Sequence, residues 1–194
     1  MFIDVEPGIS MPKFILIVSV SAKGSTLEIA QVIGDELQKS EYSVKVIDVK
    51  DIDSLEGCTA IVLGIPLYTV FSGKDVFSMF KQQFGEELAK IPVAVFSAGL
   101  FYEGLKHEKE DYVMTTLKKI LFPINPVTTT LFVGTLEGEN LHLKDRDENR
   151  NINSIANFQN LDKIREWAHA LPSLLDLQQR DFPARIASKH KVGI

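Results

Sequence analysis

Lys13-Phe-Ile-Leu-Ile-Val-Ser-Val-Ser-Ala-Lys-Gly-Ser-Thr-Leu-Glu-Ile-Ala-Gln-Val-Ile-Gly-Asp-Glu-Leu37 joins three kinds of pattern without a gap. Residues 13–19 form a short apolar, β-branched run, the composition of a buried strand. Residues 21–26 are small and hydroxyl-rich. From Leu27 the apolar Ile29, Ala30, Ile33 and Leu37 recur at steps of three and four, which predicts a helix with one apolar face. The sequence therefore reads as strand, tight turn and helix start. Such a junction gathers the free N–H groups of a first helical turn and the positive end of the helix dipole, where an anion such as a phosphate binds. Ser21, Ser25 and Thr26 offer hydroxyls, Gly24 lets the backbone curl close, Ala22 adds no bulk, and Lys23 adds positive charge. Ser25-Thr-Leu-Glu28 also fits a capping box, in which Ser25 accepts the amide of Glu28 and no ligand is needed. Both readings stand on the loop alone.

Outward from this stretch, apolar runs alternate with helical patterns. Strands are expected at 43–48, 60–65, 92–98 and 127–136, and helices at about 74–84, 112–121 and 160–175. The connection over 51–57 reads as a loop or one helical turn. Continuous apolar runs such as Ala60-Ile-Val-Leu-Gly-Ile65 suit parallel strands covered on both faces. The alternation implies one doubly wound parallel sheet over residues 13–175, with ligands outside the carboxyl ends of the strands. Residues 1–12 read as an extension, 137–157 as a polar excursion centred on Lys144-Asp-Arg-Asp-Glu-Asn-Arg150, and 176–194 as a tail.

A chain of 194 residues with 45% hydrophobic and 24% charged residues is sized for one globular domain with its own core. A net charge of -5 argues against nucleic acid as the main partner. No apolar run approaches the ~18 residues of a membrane span, and the acidic N-terminus lacks the pattern of a signal peptide. These features lead to the expectation of a cytoplasmic protein. Cys58 is the single cysteine, so intrachain disulfides and cysteine-rich metal sites are excluded. The four histidines lack metal-ligand spacing. A Gly-x-Gly-x-x-Gly dinucleotide turn and a Gly-x-Ser-x-Gly elbow are both absent.

The turns after the third and fourth strands are apolar and aromatic: Pro66, Leu67, Tyr68, Thr69, Val70 and Phe71 in one; Ser97, Ala98, Gly99, Leu100, Phe101 and Tyr102 in the other. A ligand with a phosphate at one end and a flat ring at the other suits all three loops. FMN (riboflavin 5'-phosphate) is such a ligand. Aromatic walls stack on its ring, and backbone groups in tight loops can bond its edge. No catalytic side chain is assigned, because the chemistry would belong to the flavin.

The motif Ser21-x-x-Gly24-x-Thr26 between a strand and a helix, with Gly64-x-Pro66-x-Tyr68 after the third strand, resembles the flavodoxin family. That family's loop is commonly Ser/Thr-x-Thr-Gly-x-Thr, with Lys23 here in place of a threonine. The resemblance implies strand order 2-1-3-4-5, FMN as cofactor, and exchange of electrons with a redox partner protein or a small donor or acceptor. Residues 26–30 and 60–64 are most similar to the flavodoxin-like, quinone-linked protoporphyrinogen oxidases, which points to a quinone or a porphyrinogen as the small molecule. In those oxidases the excursion after the fifth strand is basic and apolar, whereas here it is acidic and polar. The rival expectation is a flavodoxin-like domain that has lost FMN and acts as an interaction module.

Overall fold

The computed structural model describes residues 13–21, 24–40, 42–67, 76–102, 106–136 and 161–175. Among these residues five strands and four α-helices follow one another: β1 (Phe14–Ser19), α1 (Ser25–Gln38), β2 (Ser43–Asp48), β3 (Ala60–Pro66), α2 (Val76–Leu88), β4 (Val93–Tyr102), α3 (Lys106–Leu121), β5 (Thr128–Leu136) and α4 (Leu161–Leu174). The strands form one sheet in the order β2-β1-β3-β4-β5, and every pairing is parallel. The expected doubly wound order is therefore the observed one.

The continuous apolar runs are explained by the two faces they serve. In β1, Ile15 and Ile17 face one layer with Ile29, Ile33 and Leu37 of α1 and Ile164, Ala168 and Leu171 of α4. Leu16 and Val18 face the other, with Phe77, Phe80 and Phe84 of α2 and Val113, Leu117 and Leu121 of α3. Side chains alternate between faces with a period of two. A strand covered on both sides thus has no polar position to spare. Each fully buried aliphatic or aromatic side chain contributes roughly 1.5–3 kcal/mol relative to exposure.

Between β2 and β3 a helix is replaced by a single 3-10 turn, Val49–Asp51, and an irregular return. Val49, Ile52 and Leu55 are buried and fasten this crossover to the sheet. The Asp48 carboxylate caps the turn by accepting the Lys50 amide at 2.8 Å.

Three boundaries differ from the sequence expectation. β4 does not end at Ala98 but continues to Tyr102, paired with β5 as far as Leu136. Gly99 reads as a breaker, yet it is a site of close approach: a Cβ there would lie 2.3 Å from the Leu67 Cβ. Gly64 serves the same purpose under Phe96, whose ring would lie 2.4 Å from an added Cβ. α2 runs on to Leu88, since buried Leu88 continues the spacing of Phe80 and Phe84 across Gly85. α3 begins at Lys106, six residues before Tyr112, in a polar turn that carries no apolar period.

The extension 1–12, most of the loop after β3, the excursion 137–157 and the tail 176–194 lie outside the described residues. Among the described residues no helix is long and apolar enough to cross a membrane.

Candidate functional site

The carboxyl ends of β1, β3 and β4 meet at one edge of the sheet: Ser19 pairs with Gly64, and Pro66 with Ala98. From this edge the chain enters α1. Gly24 is the residue before the helix, with φ 84° and ψ -167°, a region open essentially to glycine alone. As the N-cap residue, Gly24 has no side chain with which to make a capping hydrogen bond. The Gly24 carbonyl accepts the amides of Leu27 at 3.1 Å and Glu28 at 3.2 Å. The amides of Ser25 and Thr26 therefore remain as those the helix itself cannot satisfy. A Cβ built on Gly24 meets nothing within 4 Å. Ser25 is already the first helical residue, so the capping box does not form; the Glu28 amide it needs is held by Gly24.

Thr26 is 3% exposed. Ser21 is held from below: its carbonyl accepts the Ser19 hydroxyl at 2.7 Å, and its amide lies 3.4 Å from the same oxygen. Ala22 and Lys23 lie outside the described residues.

The second and third loops divide differently from the sequence reading. Pro66 ends β3. The Gly64 carbonyl accepts the Val20 amide, so the nitrogen of Pro66, two residues on, faces past the end of β1, where no bond is lost. Leu67 is buried against Gly99. Tyr68, Thr69, Val70 and Phe71 lie outside the described residues. Ser97 and Ala98 are buried, and the Ser97 hydroxyl donates to the Ile65 carbonyl at 2.8 Å. Their side chains are part of the interior. Gly99, Leu100 and Phe101 continue β4 above the end of β3.

Among the described residues that continuation has no strand beside it on the β3 side. The Pro92 carbonyl accepts from Ile61 of β3, and the Val93 carbonyl accepts from Val127 beside β5. Alternation along the strand then turns the peptide groups of Leu100 and Tyr102 toward the β3 side, where no strand among the described residues lies opposite them.

Asp48 closes the far side of this edge, opposite Ser19 in the register. Its Oδ2 is buried without a hydrogen-bond partner. Among the described residues no group of three or more His, Cys, Asp or Glu is placed to hold a metal. The arrangement suits an anion with a flat, hydrogen-bonding appendage. Sequence reasoning singled out the loop at 21–26 and placed Leu100, Phe101 and Tyr102 in a turn, where the structure has them on β4, and it passed over Ser19. A lone serine closing the run Ile15-Leu-Ile-Val18 was the available signal for Ser19.

Residues 16–160 match the family model for the flavodoxin domain. Among solved structures, a short-chain flavodoxin associated with a PDU bacterial microcompartment shares 13% identity at a TM-score of 0.50, over 85% of this chain and 99% of that one. The flavodoxin of Streptococcus pneumoniae TIGR4 shares 19% identity at 0.44, over 81% and 98%. The Flv1 flavodiiron core of Synechocystis sp. PCC6803 shares 17% identity at 0.48, over 87% and 37%. At such identities the likeness concerns the fold alone. No curated protein sequence matches the chain. A family match over well more than half of the sequence, on a sheet of order β2-β1-β3-β4-β5, places the chain in the flavodoxin-domain family.

Proposed function

We propose that the chain binds FMN at the carboxyl edge of its sheet and serves as a flavin-dependent electron-transfer protein or oxidoreductase. The observation that carries this reading is the start of α1: a glycine-only turn at Gly24, whose N-cap position carries no capping side chain and where an added Cβ meets nothing within 4 Å. A phosphate supplies acceptors for the first-turn amides and meets the positive end of the helix.

In this reading Ser21, Ala22, Lys23, Gly24, Ser25 and Thr26 hold the phosphate, while Pro66, Leu67, Tyr68, Thr69 and Val70 flank one side of the ring. Gly99, Leu100 and Phe101 flank the other through their backbone. In this reading backbone donors and acceptors of Leu100 and Tyr102 on the β3 side would bond the imide edge of an isoalloxazine. Ser97 and Ala98 act from beneath, as part of the wall. When bound, FMN supplies one- and two-electron chemistry, and the protein supplies binding, orientation and electrostatics.

The test is equilibrium titration of the protein with FMN and with riboflavin, followed by flavin absorbance and its bleaching by dithionite. Tight FMN uptake is expected; a chain that takes up neither flavin leaves the interaction-module reading in its place. The resemblance to quinone-linked protoporphyrinogen oxidases selects the substrates for the next assay. Turnover with a quinone or protoporphyrinogen would define an enzyme, and reduction and reoxidation only through a partner protein would define a carrier.

A further inference from the structure

We propose that Ser19 and Ser97 are positioning residues for the flavin site, each acting through one buried hydroxyl: Ser19 fixes the turn at Ser21 that begins the anion loop, and Ser97 fixes the carboxyl end of β3. The proposal rests on the flavin reading above. Both residues are 0% exposed, and they stand on β1 and β4, the two strands that flank β3. Ser19 pairs with Gly64 and Ser97 with Ile65, so the two hydroxyls sit within one residue of the same height, just below the rim of the sheet.

Packing alone gives no reason for either hydroxyl. The four residues before Ser19 are Ile, Leu, Ile and Val, all buried, and Val95 and Phe96 precede Ser97. A buried hydroxyl costs free energy unless it is bonded. Here each is bonded to a carbonyl at the point where a strand becomes a loop. Ser19 Oγ donates to Ser21 O at 2.7 Å and lies 3.4 Å from the Ser21 amide, which folds the chain at Val20 just ahead of the approach to Gly24. Ser97 Oγ donates at 2.8 Å to the carbonyl of Ile65, immediately before Pro66.

The two act on opposite faces. Alternation from Ile15 and Ile17 puts Ser19 on the layer of α1, and alternation from Val93 and Val95 puts Ser97 on the layer of α2 and α3. Fixing a loop in its bound shape strengthens binding by removing the entropy lost on ordering. Each serine therefore governs a different part of one ligand.

Riboflavin, which lacks the phosphate, separates the two roles. In the full chain, Ser19→Ala should weaken FMN binding by about tenfold while leaving riboflavin within about twofold. Ser97→Ala should weaken both ligands by about tenfold, since both carry the ring. Thermal melting is followed in parallel, and Ser19→Cys and Ser97→Cys, close in size and poor donors, should repeat the pattern if packing is not the cause. Equal weakening of both flavins by Ser19→Ala, or wild-type affinity in both serine variants, overturns the proposal alone. A wild-type chain that takes up neither flavin overturns the flavin reading and this proposal together.

Discussion

At the C-terminal end of α3 the protein reaches across from a neighbouring helix: Lys81 of α2 donates to the carbonyls of Ile120 and, at 3.1 Å, of Phe122. Its ammonium also lies 5.3 Å from the centre of the Phe77 ring. At the N-terminal end of α1 the cap residue is Gly24, which has no side chain to do the equivalent. Both ends expose backbone groups that a helix cannot satisfy by itself. The chain finishes the first with its own cation, and in the proposed reading the second is completed by the phosphate of a ligand. A helix end completed internally contributes to stability, whereas one left open can contribute to binding.

The strongest way to break this contrast is at Gly24. Gly24→Val should abolish flavin retention, a loss of at least about a hundredfold in affinity, because a β-branched residue cannot hold a left-handed turn of this kind without shifting the amides. The added side chain meets open space, so a cooperative melt should persist. Flavin absorbance of the purified variant checks the first point and circular dichroism the second.

Gly99→Ala tests the wall rather than the anion site. The new methyl would overlap Leu67, and overpacking of this kind costs about 1–3 kcal/mol. Chemical denaturation should report that loss, with a flavin effect smaller than that of Gly24→Val. Lys81→Met should cost about 1 kcal/mol by removing the donor at the α3 carbonyls. FMN affinity should stay unchanged. A fall in affinity comparable to that of Gly24→Val would erase the distinction between the two helix ends.

The smallest effect belongs to a charged cluster joining α1 to α4. Glu36 is buried, with Lys39 Nζ at 2.9 Å, Arg165 Nε at 3.3 Å and His169 Nε2 at 3.4 Å. The Lys39 hydrogen bond, aided by the charge of Lys39 and by the neighbouring His169 and Arg165, holds the carboxyl below the usual glutamate range against the opposing pull of burial. A carboxyl lowered on folding stabilises the native state above its unfolded pKa, and that stability fades as pH falls through the folded value. Glu36→Gln should therefore lower the melting temperature most at neutral pH, and the gap should close in acid. Melts across that range measure it.

Much of this was legible in the amino acids. Ile15, Leu16, Ile17 and Val18 announce a strand buried on both faces, and the loop of Gly24 announces a backbone that must bend tightly. What could not be read was any feature set by a partner distant in sequence. Gly99 looks like a stop until Leu67 is seen against it, and Ser25 looks like a cap until Gly24 is found in its place. The polar first turns of α3 carry no period because that stretch presents no continuous apolar face. Ser19 is one hydroxyl in a run of aliphatics, and only its contact with the Ser21 carbonyl gives it a meaning.

The overrun of β4 beyond β3 leaves a signature in deuterium uptake. Between Gly99 and Tyr102, the amides of Gly99 and Phe101 point to β5, while those of Leu100 and Tyr102 point to the other side, where no strand among the described residues lies opposite them. Neighbouring residues on one strand should thus label at alternating rates, and a ligand seated against that rim should slow the fast pair while sparing the slow one.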